Sequence, residues 1–189
     1  MRCLRSSLVM FATAAAALLL MDPSLVHAQV EHTTSDITGA ERVTSTNLQD
    51  TEVVSYAGTD IAYKAEYTYQ PDTAAEVWQL KFYGFAPQQT GLAGAERVLV
   101  WINNQRHQIQ DLESRTRRLD GEVLEIQSAT LRPSVFQRMA TAETVQVTIG
   151  AAEFDISYAH RADMREVVER ARTIATAGAS QQRADNSGR

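Results

Sequence analysis

Between Ile61 and Tyr69 the apolar residues fall on every second position, with Ile61, Tyr63, Ala65, Tyr67 and Tyr69 alternating with Ala62, Lys64, Glu66 and Thr68. A period of two belongs to a strand with one face packed and the other wet. Pro71-Asp72 closes that run, and Trp78, Leu80 and Phe82 against Gln79, Lys81 and Tyr83 resume it. The two segments predict a hairpin whose aromatic side chains dominate one end of the core. Before them, residues 51–56 predict a short strand that Gly58 ends.

Residues 96–127 hold three or four more strands, folded at Asn103-Asn104 and Asp120-Gly121. Asparagine tolerates positive φ, so Asn103-Asn104 reads as a two-residue hairpin turn. It sets Val98 opposite Ile109, Val100 opposite His107 and Trp101 opposite Arg106, with a cation-π contact expected in the last pair. At Asp120-Gly121 a two-residue loop would set Arg117 opposite Leu124 and Arg115 opposite Ile126. That register places guanidiniums on what reads as the apolar face. A bulged three-residue loop opposes Arg117 to Glu125 and Arg115 to Gln127 instead, and is the expectation.

The period then changes. Ser134 and Gln137 form a capping box ahead of Val135, Phe136, Met139 and Ala140, predicting a short crossover helix. Val145, Val147 and Ile149, then Phe154, Ile156 and Tyr158, predict another hairpin about residues 150–152. Asp163 with Glu166 makes a second capping box. Met164, Val167, Val168, Ala171, Ile174 and Ala175 share one face of a helix that ends before Gly178, with Glu166–Arg170 and Arg165–Glu169 pairs on its wet side. The expected class is mainly β (α+β): an antiparallel β-sandwich or partly open barrel with a short crossover helix and a C-terminal amphipathic helix.

The ends have a different character. Arg2 and Arg5 precede an apolar run over residues 8–21 and the small-residue site Val26-His27-Ala28, the three zones of a secretory signal peptide over residues 1–28. The run is short of the roughly 20 residues a spanning helix needs, so no stable membrane anchor is expected. Residues 29–50 read as a flexible linker, residues 51–178 as one β-rich domain with its C-terminal helix, and residues 179–189 as a disordered tail. Residues 87–95, with Pro87, Gly91 and Gly94, read as a long connecting loop with little to pack.

Composition narrows the chemistry. The one cysteine, Cys3, lies in the signal segment, so the mature chain is cysteine-free and cannot form disulfides, thiolate metal sites or a cysteine nucleophile. The formal charge is −5. Loss of residues 1–28, with two arginines and Asp22, moves it to −6, which argues against nucleic acid. His32, His107 and His160 have no partner at metal-ligand spacing, and there is no G-x-S-x-G or phosphate-binding glycine motif. No metal, cofactor or catalytic set is predicted. Glu122 with Glu125, and Glu153 with Asp155, read as solvated strand positions.

The candidate ligand- or partner-binding residues are Arg115, Arg117, Arg118 and Arg106, a basic cluster suited to a carboxylate or phosphate, together with His107. The expectation is an exported non-catalytic binding or interaction module of the periplasm or cell exterior, with an envelope protein or an anionic ligand as partner. The alternative is a small secreted hydrolase using His107 or His160 with a nearby carboxylate.

Overall fold

The computed structural model describes residues 30–45, 54–56 and 59–187; the signal segment assigned to residues 1–28 lies outside them. In chain order the elements are β1 (Val30–Thr34), β2 (Glu41–Ser45), β3 (Val54–Tyr56), β4 (Thr59–Gln70), β5 (Ala75–Ala86), β6 (Val98–Ile102) and β7 (Gln105–Ile109). Then follow β8 (Leu112–Leu119), β9 (Glu122–Leu131), α1 (Pro133–Thr141), β10 (Val145–Ile149), β11 (Ala152–Asp155) and α2 (Tyr158–Ser187).

They build a mainly β, sandwich-like α+β fold. A seven-stranded antiparallel sheet runs β1-β2-β4-β5-β9-β8, with β3 also on β4, and a four-stranded one runs β11-β10-β6-β7. The long β4–β5 hairpin is the spine of the larger sheet, and its alternation is the one the sequence predicts. Tyr67, Leu80 and Phe82 have no more than 0% exposure on the inner face, while Lys64, Lys81 and Tyr83 lie on the outer face.

The core lies between the inner face, the smaller sheet and the two helices. Phe154 of β11 packs on Tyr63 and Phe82 at ring separations of 5.4 and 6.2 Å, and Phe136 of α1 meets Trp78 at 5.1 Å. Each such burial contributes roughly 1.5–3 kcal/mol. Helix α2 buries Met164, Val167, Val168, Ala171 and Ile174 and lies against α1, β4 and β2.

Several expectations change at the ends of elements. The linker reading of residues 29–50 fails where that segment is described. Residues 30–34 and 41–45 form a hairpin that adds to β4, with Val43 fully buried and His32 bonded to Glu41 at 2.9 Å. With no buried residue on β1 and only Val43 and Ser45 buried on β2, the signal is too weak for periodicity to register. Helix α1 begins at Pro133 with no side-chain cap, so Ser134 is not its N-cap. Helix α2 begins five residues before Asp163, and Ser157 accepts the His160 N–H at 3.3 Å in the capping position. Tyr158 therefore opens the helix, and β11 ends at Asp155. Arg170 pairs with Glu166 at 2.8 Å, but Arg165 donates to the Ala140 carbonyl instead of reaching Glu169.

Gly178 does not end α2, which runs on to Ser187 through the segment read as a disordered tail. A Cβ at Gly178 would lie 2.3 Å from the Tyr69 hydroxyl. Glycine inside a helix costs roughly 0.5–1 kcal/mol relative to alanine, and here it provides the room that the buried tyrosine occupies.

Candidate functional site

The outer face and free edge of the larger sheet carry Lys64, Lys81, Arg115 and Arg117, and the β8–β9 register determines what lies beside the arginines. Asp120 and Gly121 have φ of 38° and 95°, a two-residue turn that pairs Leu119 with Glu122, Arg117 with Leu124 and Arg115 with Ile126. The bulged loop expected from the sequence is therefore absent. The inner face of β9 is not its most apolar one: Val123, Glu125, Gln127, Ala129 and Leu131 are buried, and Leu124 and Ile126 are half-buried on the outside.

Glu125 is 2% exposed. Its Oε2 accepts the N–H of Thr90 at 3.0 Å, the N–H of Leu92 at 3.1 Å and the Thr90 hydroxyl. Gln127 accepts the Ser114 hydroxyl at 2.6 Å. Residues 87–95, read as a loop with little to pack, are thus tied to the sheet by a buried carboxylate and by Leu92 in the core.

Across the outer face, Lys64 and Lys81 stand directly opposite each other on β4 and β5. Lys81 bonds Glu66 at 2.7 Å, and Arg42 approaches the same oxygen at 3.6 Å. Lys64 has no ion-pair partner among the described residues. These groups, with Glu31 and Tyr83, line an open depression of about 310 Å³. Burial, then the Glu66 carboxylate, pushes the Tyr83 phenol up, and Arg42 opposes that rise. The opposition of Lys64 and Lys81 was legible in the sequence, since it follows from a four-residue turn at 71–74.

The arginines predicted as one cluster lie in three places. Arg115 and Arg117 are exposed on the outer face, one and two rows away from that of Lys81, which ends on Glu113. Arg115 bonds Glu113 at 2.6 Å, and that hydrogen bond, with the attraction behind it, raises the arginine's pKa and lowers the glutamate's. Arg118 is opposite Val123 on the other face and lines a depression of about 550 Å³ with Gln88, Gln89 and Glu122. Arg106 is on β7 in the smaller sheet. It is opposite Trp101 as expected, but the cation-π contacts among the described residues are those of Arg161 and Arg165 on Tyr158.

The β6–β7 register matches the expectation, and His107 turns inward opposite Val100. Burial lowers its pKa, with Arg138 and Arg132 adding to the effect, and its Nε2 is buried without a hydrogen-bond partner among the described residues. It lines a depression of about 160 Å³ beside Asp111 and Arg132, with no hydrogen bond to a carboxylate. His160 is buried against the Tyr63 ring at 4.6 Å, its Nδ1 2.9 Å from the Ser157 hydroxyl. Among the described residues no group of three His, Cys, Asp or Glu side chains could hold a metal ion, and no helix is long and apolar enough to cross a membrane.

No protein-family model matches the chain, and no curated protein or solved structure matches it either.

Proposed function

We propose that the protein is an exported, non-catalytic binding module of the periplasm or cell exterior that holds an anionic ligand or partner on the open face of its larger sheet. The leader-like pattern of residues 1–28 supports export. The observation that carries the binding reading is the row of Lys64 opposite Lys81, with Lys64 unpaired among the described residues and Arg42 sharing the carboxylate of Glu66. Like charges directly opposed on a sheet are destabilising, where favourable cross-strand pairs contribute roughly 0.2–1 kcal/mol. An anion in the depression would offset that repulsion, and Arg115 and Arg117 extend the same face toward the free edge. A hydrolase built on His107 has no such support, since its ring bonds no carboxylate among the described residues.

Retention on an immobilised anionic polymer tests the reading. Wild-type protein is expected to be retained at low salt, and a Lys64→Ala, Arg115→Ala, Arg117→Ala triple variant to elute at clearly lower salt, as for exposed charges. An unchanged elution position would remove this face from consideration.

A further inference from the structure

We infer that the free edge of β8 is a docking strand for an extended acidic peptide, which joins the larger sheet as one further strand. The inference rests on the binding reading above and specifies the partner's class.

Strand β8 is last in the order of the larger sheet. Its 8 residues pair with β9 in unbroken register, without bulge or proline, and all but Leu112 are exposed. The terminal strands β1, β7 and β11 are shorter, at 5, 5 and 4 residues. Natural edges are blunted by shortness, proline, bulges, cover or charge. Only charge is present on β8.

The turn determines which backbone groups are free. A two-residue turn with both φ positive makes the flanking Leu119–Glu122 pair a hydrogen-bonded one, and such pairs alternate along an antiparallel ladder. Leu119, Arg117, Arg115 and Glu113 therefore use their backbone groups on β9, while Arg118, Thr116 and Ser114 direct theirs outward. A peptide strand would meet this row of donors and acceptors, the geometry of strand addition.

The charge selects the strand. Arg115 and Arg117 project from one face and Arg118 from the other, and neither Arg117 nor Arg118 has an ion pair among the described residues. A second β8 laid antiparallel about Thr116 would oppose Arg115 to Arg117 and be repelled. A strand with alternating carboxylates would set its acidic residues directly opposite Arg115 and Arg117 on the same face, with Cβ atoms about 4.5–5.5 Å apart. Exposed Leu119 and half-buried Leu112 provide apolar contact at the two ends.

The experiment is a fluorescence-anisotropy titration with a labelled ten-residue peptide alternating glutamate with valine or threonine. Saturable binding by wild type is expected. Thr116→Pro removes an outward N–H at a position where an edge tolerates proline, and should weaken binding at least tenfold in a protein whose circular dichroism is unchanged. The same peptide methylated on alternate backbone nitrogens keeps its charge and should also bind at least tenfold more weakly; if Thr116→Pro fails to fold, this probe decides alone. Arg115→Glu with Arg117→Glu should transfer preference to a lysine version of the peptide. Unweakened binding in the folded proline variant or by the methylated peptide overturns strand pairing, and the polymer-retention result then judges the open-face reading separately. A wild-type dimer in sedimentation that Thr116→Pro converts to monomer would make a second copy the occupant, and would overturn the inference.

Discussion

Glu125 and Glu66 are the same residue type with nearly the same exposure, 2% and 6%, on opposite faces of one sheet. What surrounds them differs in kind. Glu125 is held by neutral donors that belong to a loop, two backbone N–H groups and a hydroxyl, whose positions are tied to the path of the chain. Glu66 is held by the ends of long cationic side chains beside open solvent. Donors of the first kind cannot leave without unfolding the loop, so the carboxylate acts as a fastener. Cations of the second kind can turn to another anion, so the carboxylate acts as a resident counter-ion.

The largest effect that would break this contrast is at Glu125. Replacing it by alanine removes three hydrogen bonds to a charged acceptor, each such bond worth about 1.5–3 kcal/mol, and leaves the buried Leu92 N–H only its 3.2 Å bond to the Thr90 hydroxyl. Glu125→Ala should therefore lower unfolding stability by about 3 kcal/mol in denaturant titrations, with faster hydrogen exchange over residues 87–95. A loss below about 1 kcal/mol would mean the loop is held by Leu92 alone. Glu66→Gln should cost only about 1 kcal/mol, since the freed Lys81 can rehydrate in the depression. That smaller loss should also shrink between roughly 0.1 and 1 M salt, as the screening length falls from about 10 to about 3 Å. The Glu125→Ala loss should not respond to salt.

The smallest effect is alkaline. Folded Tyr83 keeps its proton above the ordinary value of 10.0, because burial and then Glu66 disfavour the phenolate. The unfolded chain binds fewer protons in that range, so stability falls as pH rises through 10 toward the folded pKa. Glu66→Gln should bring the Tyr83 titration down, as followed by NMR of the ring carbons, and should lessen that fall. A Tyr83 titration unmoved by Glu66→Gln would show that burial alone holds the phenol up.

The two hairpins of residues 96–127 show how much of this was legible in the chain. At Asn103-Asn104 the apolar residues of β6 do face the core, so period and turn chemistry agree and the register follows. At Asp120-Gly121 the same logic inverts the strand. Leu124 and Ile126 look like core, and Glu125 and Gln127 look like surface. The donors that make Glu125 acceptable inside come from Thr90 and Leu92, distant in sequence and in a segment with no period of its own. The neighbours of Arg115 and Arg117 depend on that register, whereas Arg118 faces the other way by strand alternation in either register and Arg106 lies in the other sheet. The Lys64–Lys81 row needed only a turn length, and so was within reach of the sequence.

Gly178 makes the joint between helix and sheet a keyed one. Along the buried side of α2 it is the position where a missing Cβ leaves a notch, and the Tyr69 hydroxyl fills it. Sliding the helix by one turn, about 5.4 Å, would bring Ile174 onto that hydroxyl. A long amphipathic helix on a smooth apolar surface has several nearly equal seats; this one has a single seat, and a tyrosine on β4 is the pin that marks it.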